Sequence, residues 1–153
     1  MEQPFFSIIT ICKNSKKDIQ ECLSSIYSQN FKDFEHIICD GNSIDGTLNI
    51  INKIKNKNTR LFIADDQGLY DALNKGISKS IGKYIVILHS DDKFYNDDVL
   101  RNLNKEILTN SYPPIVIANI VYINAKGTIL RRWKSDLPSI NKIKRGWMAP
   151  HTG

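Results

Sequence analysis

The feature that most constrains this chain is a repeated alternation: a short run of apolar, mostly β-branched residues, then a stretch in which apolar residues recur at helical spacing. "FFSIITIC" is continuously apolar, which suits a strand buried on both faces. In "NSKKDIQECLSSIYSQN" the residues Ile19, Cys22, Leu23, Ile26 and Tyr27 recur at i, i+3, i+4, i+7 and i+8, one face of a helix, with Asn14 or Ser15 as its N-cap. "FEHIIC" then reads as a second strand and "IDGTLNIINKIKN" as a second helix carrying Leu48, Ile51 and Ile54 on its apolar face. "RLFIA" is a third strand, and "GLYDALNKGISKSIG" a third helix through Leu69, Ala72, Leu73, Gly76 and Ile77. "KYIVIL" is a fourth strand, "NDDVLRNLNKEIL" a fourth helix, and "PIVIANIVYIN" a fifth strand that "KGTILRRW" could pair with across Lys126 and Gly127. This order predicts an α/β protein with a largely parallel sheet and helices on both faces. At 153 residues, without repeat, low-complexity tract or linker, it predicts one domain over 1–153.

Composition narrows the function classes. The 41% hydrophobic and 24% charged fractions are those of a soluble globular protein. Cys12, Cys22 and Cys39 lack metal-ligand or CxxC spacing, which favours core thiols in a reducing, cytoplasmic setting over a disulfide or zinc scaffold. The N-terminus does not read as a signal peptide, and no apolar run approaches the roughly 20 residues that span a bilayer. The net charge is +5, but the basic residues concentrate only from Arg131 to Arg145. Nucleic acid, an anionic membrane surface or a phosphorylated small molecule would each fit that patch, and so would a merely solvated face.

In a parallel sheet, ligands bind outside the carboxyl ends of the strands. Those exits read "KNS", "DGNSIDGT", "DDQG" and "HSDD" in chain order, a rim rich in carboxylates on a basic protein. A bound cation or sugar hydroxyls would suit it. Asp97 and Asp98 need no such role, because Asn96 is a good N-cap and acids favour the first turn of a helix. Asp91 and Asp92 precede that cap, and adjacent carboxylates repel unless a donor, solvent or a divalent ion with oxygen ligands compensates. Asp40 either forms an Asx turn or accepts the imide N–H of a base or ribose hydroxyls. Asp71, Asn74, Lys75 and Ser78 share the polar face of the third helix. There Asp71 and Lys75 form either a surface pair worth about 0.3 kcal/mol or, through Lys75, a phosphate contact.

"SIITICKN", "DGNSIDGT", "DQGLYDALNKGI" and "GKYIVILHSDD", in this order and spacing, resemble the nucleotide-sugar half of family 2 glycosyltransferases with the GT-A fold, especially those building bacterial surface polysaccharides. The resemblance covers residues 5 to about 95, and "GWMAPHTG" is similar to the family's entry to the acceptor half, so the acceptor side is expected to be incomplete after about residue 146. It implies a Rossmann-like GT-A fold and a hexosyltransferase activity, inverting and metal-dependent. The donor would be a nucleotide-diphospho-sugar of UDP, GDP or dTDP type, the acceptor a glycan or lipid-linked molecule, and nucleic acid no partner. By the same resemblance Thr10 and Asn14 line the nucleotide pocket, Asp40 contacts the base, and Asp66 and Gly68 stand where the chain passes the nucleotide. Asp71, Asn74 and Lys75 match the family's helix. Asp91 and Asp92 replace its DxD motif, Asp91 near the ribose or sugar and Asp92 as ligand of Mg²⁺ or Mn²⁺, which neutralises charge on the leaving diphosphate.

Inverting members use a carboxylate base for the acceptor hydroxyl, and the resemblance places it beyond the position of Gly153, which suggests a truncated chain that binds donor and transfers little. The basic segment would bring the full-length enzyme to the inner face of a membrane. Among rivals, a sugar-nucleotide pyrophosphorylase would need a glycine-rich, basic loop after the first strand and a dinucleotide-dependent oxidoreductase would need GxGxxG there, where "CKNSKKD" has no glycine. A phosphoacceptor receiver domain shares the βα alternation, but its paired acids should follow the first strand rather than the fourth.

Overall fold

The computed structural model describes residues 3–124, 126–135 and 139–145. The chain divides into two compact units, Met1–Leu103 and Asn104–Gly153. The first contains β1 (Phe6–Cys12), α1 (Ile19–Tyr27), β2 (Phe34–Asp40), α2 (Thr47–Ile54), β3 (Thr59–Ile63), α3 (Leu69–Lys79) and β4 (Tyr84–Ile87). Helix α4 (Val99–Thr109) follows, then β5 (Ile120–Ile123), β6 (Ile129–Trp133) and the short α5 (Ile140–Lys144).

The four strands of the first unit form one parallel sheet in the order β3-β2-β1-β4. Every residue of β1 and β2 is buried, as suits central strands covered on both faces, including the polar Ser7, Thr10, Glu35, His36 and Asp40. Alternate side chains serve opposite faces. Cys12 and Ile38 pack with Ile19 and Leu23 of α1 and Ile51 of α2, while Ile9, Ile11, Ile37 and Cys39 pack against Ala72 of α3. Helices therefore cover both faces, as the alternation predicts. Strand β4 reads as apolar as β1, yet among the described residues it pairs with β1 alone, and Ile85 is 43% and Ile87 41% exposed.

The amino ends of the strands are held by a polar cluster. Glu35 Oε1 accepts from Ser7 Oγ (2.6 Å) and the Ile81 amide (2.8 Å), and Arg60 donates to Oε2 at 2.9 Å. Burial alone would raise the Glu35 carboxyl, but Ser7, the Ile81 amide and Arg60 together hold it below its usual range. Gly82 fits here because it lacks a side chain: a Cβ would lie 2.5 Å from the Ser7 amide nitrogen.

Two expectations change in detail. Helix α1 begins at Ile19 after a turn in which Ser15 O accepts the Asp18 and Ile19 amides, so neither Asn14 nor Ser15 is its N-cap. The fifth predicted strand shortens to β5, which pairs antiparallel with β6 in a sheet of its own rather than extending the parallel one. Pairing across Lys126 and Gly127 is as expected, with Gly127 at φ 76° and Asn124 Oδ1 accepting the Lys126 and Thr128 amides. Upstream, Asn119 Oδ1 accepts from the Ser135 amide and hydroxyl instead of continuing the apolar run.

Candidate functional site

The strand order contains a reversal. From β1 the chain builds outward through β2 and β3, then returns to lay β4 on the other side of β1. In open parallel sheets ligands bind in the crevice outside the carboxyl ends of the strands at such a reversal. Here that place is flanked by Lys13–Ser15 after β1 and His89–Asp92 after β4, two exits that approach each other on the α1 side.

The β1 and β2 exits are tied together around Asp40. Asn14 adopts a left-handed conformation (φ 52°) that asparagine tolerates better than most residues. Its amide donates to Ser43 Oγ at 2.8 Å, and its Oδ1 accepts the Ile44 amide at 3.0 Å. Ser43 in turn donates to Asp40, its amide to Oδ1 at 2.8 Å and its hydroxyl to Oδ2 at 2.6 Å, and Cys12 Sγ adds a 3.3 Å contact to Oδ2. Asp40 thus forms the Asx-type turn that its sequence context allows and is only 2% exposed. Burial, reinforced by the Asp40 charge, pushes the Cys12 thiol far above its usual range, so it is a neutral packing group rather than a nucleophile.

Asp45 completes this wall, accepting from the Thr47 hydroxyl (2.6 Å), the Thr47 amide (3.0 Å) and the Lys16 amide (3.0 Å). The Thr47 hydroxyl above all holds its carboxyl below the usual range. Asp45, an acid two residues before a threonine at the start of α2, is a rim residue absent from the sequence-predicted set, and its signal is the local Asx-type turn that such spacing allows.

The β3 exit joins the same rim. Asp66 Oδ1 accepts the Gly68 amide at 3.1 Å, and Asp66 lies against Gly41, where a Cβ would meet Asp66 Oδ2 at 2.5 Å and Lys13 Cδ at 3.1 Å. Gly68 has φ 114°, a conformation suited to glycine. Asn42 Nδ2 donates to Asp65 Oδ1 at 2.6 Å. Lys75 donates to Asp65 O and to Asp71 Oδ2, each at 2.7 Å, and Asp71 also accepts the Gln67 amide at 3.0 Å. Lys75, then the Gln67 amide, keep the Asp71 carboxyl below its usual range. This pair therefore clasps the β3–α3 loop. Asn74 is exposed on the same helix.

At the β4 exit Asp91 is exposed and Asp92 half-buried, the Asp92 amide donating to His89 O at 3.0 Å. Ser90 Oγ and Ser15 Oγ lie 2.8 Å apart across the crevice. Among the described residues no group of three or more His, Cys, Asp or Glu side chains is placed to hold a metal ion. An adjacent carboxylate pair nevertheless suits Mg²⁺ or Mn²⁺, because such ions are commonly held by one or two carboxylates plus substrate phosphates and water. The second acidic pair is a correction: α4 begins at Val99 with no acid in its first turn, so Asn96 is not its N-cap, and Asp97 and Asp98 instead tie the segment before α4 to the end of α1. Asp97 Oδ1 accepts from Ser28 Oγ, Asp98 Oδ1 from Asn30 Nδ2, and Asn96 Oδ1 accepts the Asp98 amide.

Of the sequence-predicted residues, Asn14, Asp40, Asp66, Gly68, Asp91 and Asp92 lie at one end of the sheet, with Asp71, Asn74 and Lys75 beside them on α3. Thr10 is the correction. The side-chain alternation of β1 turns it beneath α1, fully buried, where its hydroxyl meets His36 Nε2 at 3.0 Å instead of lining the rim. The segment "GWMAPHTG" lies outside the described residues.

Residues 7–150 match the model of the family described as glycosyl transferase family 2. A "PGL/p-HBAD biosynthesis glycosyltransferase" of Mycobacterium bovis is 36% identical over 124 residues, covering 79% of this chain and 48% of the relative. Among solved structures, Staphylococcus aureus TarS 1–349 in complex with UDP-GlcNAc superposes with a TM-score of 0.65 at 30% identity, over 69% of this chain and 32% of that one. The mannosyltransferase PcManGT of Pyrobaculum calidifontis, at 22% identity and a TM-score of 0.65 over 81% of this chain and 36% of its own, shares the fold. The chain spans about half or less of the length of the curated relatives it matches. The parallel GT-A sheet, the reversal of its strand order between β1 and β4, and a family match over nearly its whole length place this chain in glycosyl transferase family 2.

Proposed function

We propose that this chain is the donor-binding part of a metal-dependent, inverting glycosyltransferase that uses a nucleotide-diphospho-sugar. The observation that carries the reading is the pairing of the reversal between β1 and β4 with the Asp91–Asp92 turn at its mouth. On one flank lies the Asn14–Asp40–Ser43 wall, whose polar groups suit a base and ribose. On the other lie two carboxylates, which suit an ion carrying a diphosphate.

The residues divide the work. Asp40 offers its carboxylate to the base's imide N–H once the Ser43 hydroxyl turns aside, and Asn14 keeps that turn in place. Asp66 and Gly68 form the passage along the nucleotide, while Asp71 and Lys75 hold the loop that bears them and Asn74 faces the same side. Asp91 lies toward the ribose or sugar, and Asp92 holds Mg²⁺ or Mn²⁺. When bound, the ion supplies neutralisation of the charge that develops on the departing nucleoside diphosphate. UDP is supported as one nucleotude by the UDP-GlcNAc complex of the TarS relative.

The acceptor side is a glycan or lipid-linked molecule of bacterial surface polysaccharide synthesis, placing the work in the cytoplasm or at the inner membrane face. No described helix is long and apolar enough to cross a membrane. Because the chain covers about half of its relative, the test is binding rather than turnover. Calorimetric titration with UDP, GDP and dTDP, with and without Mn²⁺, should show binding of at least one that strengthens with the ion. Failure of all three to bind in a metal-dependent way refutes the proposal.

A further inference from the structure

The segment bearing the acidic pair hangs on α1 and the turn that enters it. Cys22 Sγ donates to His89 O at 3.4 Å, Ser15 and Ser90 share a hydrogen bond at 2.8 Å, Lys93 pairs with Glu21 at 2.6 Å, and the Phe94 amide donates to Ser25 Oγ at 3.1 Å. These contacts bracket Asp91 and Asp92, and they differ in what they can hold. The Lys93–Glu21 pair is exposed, and such pairs are weak restraints. A thiol is a poor donor, and Phe94 lies beyond the acids. The Ser15–Ser90 bond is short and immediately adjacent to Asp91, and Ser90 is only 9% exposed.

Ser15 is itself fixed from the other side. Asn14, its neighbour, has both its amide and its Oδ1 engaged by the Ser43–Ile44 turn. The hydroxyl pair therefore links the wall around Asp40 to the acidic turn across the crevice. We propose that Ser15 is a positioning residue, whose hydrogen bond with Ser90 holds the 89–92 turn against the β1 exit so that both flanks form one preformed site for an ion and a diphosphate. This rests on the donor-binding reading above.

The test compares wild type with Ser15→Ala, Ser90→Ala and Ser15→Thr in the full chain, by two readouts. The first is amide hydrogen exchange without ligand: residues 89–94 should exchange about threefold to tenfold faster in both alanine variants, the range one lost hydrogen bond supports, and return toward wild type in Ser15→Thr. Unchanged exchange there overturns the brace, whatever the protein binds. The second is Mn²⁺-dependent binding of whichever of UDP, GDP and dTDP the wild type holds most tightly. The alanine variants should lose a similar factor in affinity with Mn²⁺ present and keep the metal-free affinity. Faster exchange with undiminished Mn²⁺-dependent affinity overturns the positioning role and leaves the proposed function standing. Wild type that binds none of the three overturns that function and this role together.

Discussion

His36 makes a quantitative prediction about acid stability. It lies in central strand β2, fully buried between α1 and the sheet, with Tyr27 OH 3.1 Å from Nδ1 and Thr10 Oγ1 3.0 Å from Nε2. Tyr27 OH also meets Thr59 Oγ1 at 2.8 Å, so hydroxyls satisfy the imidazole without offering it a counter-charge. Burial pushes its pKa down from 6.5 to about 3. Between those values the unfolded chain binds a proton that the folded chain refuses, so stability falls as pH falls from 6.5 toward 3, by about 1.4 kcal/mol per unit. From pH 7 to pH 5 this one group removes about 2 kcal/mol, a substantial part of the roughly 5–15 kcal/mol typical of a domain.

The assay is urea unfolding at pH 7 and pH 5 of wild type and His36→Gln, whose amide can still meet Thr10 and Tyr27. Carboxylates titrate in both proteins and cancel in the comparison. The variant, whatever its starting stability, should lose about 2 kcal/mol less than wild type over this interval. Equal losses would refute the reasoning and show that the folded state admits a charged imidazole.

Other residues give further tests. Gly41→Ala sets a Cβ 2.5 Å from Asp66 Oδ2. The carboxylate must retreat by about 0.9 Å to reach ordinary contact, so nucleotide affinity measured by calorimetry should fall while urea stability changes by less than about 1 kcal/mol. Gly82→Ala instead meets backbone of Phe6 and Ser7, which cannot turn aside, and should cost about 3 kcal/mol in the same unfolding assay. Glu35→Gln removes the charged acceptor shared by Ser7, the Ile81 amide and Arg60. It should cost about 2 kcal/mol at pH 7 without changing nucleotide affinity, since this cluster lies at the far end of the strands from the rim.

The parts of this structure that were legible in the sequence are those set by local period. The run at 5–12 can be a buried strand because it is mostly apolar without alternation, whereas nothing local in "FEHIIC" shows that Glu35 and His36 are buried too; Ile19, Cys22, Leu23 and Ile26 repeat as one helix face, all four of them buried. Period does not reveal position in a sheet. Ile85 and Ile87 are as apolar as Ile9 and Ile11, yet among the described residues their strand pairs with β1 alone, which only the pairing of distant segments decides.

The rim was partly legible because strand exits in a parallel sheet share one end. What hid from view were contacts between distant segments: Asn14 to Ser43, 29 residues apart, and Ser15 to Ser90, 75 apart. Such pairs have no local signature. Thr10 was misplaced for a related reason, since alternation along β1 fixes that it shares a face with Cys12, but not that His36 awaits it beneath α1.

The central claim is that one ion and one nucleoside diphosphate share the crevice between β1 and β4. It is tested most directly by Mn²⁺ broadening of amide NMR signals in the presence of the nucleotide that binds best among UDP, GDP and dTDP. The account predicts strong broadening of Ser90–Asp92 and of Asn14–Lys16, sparing of Glu35 and Ser80–Lys83 at the opposite end of the sheet, and loss of the effect in Asp92→Asn. Broadening centred elsewhere, or unchanged in Asp92→Asn, would contradict it.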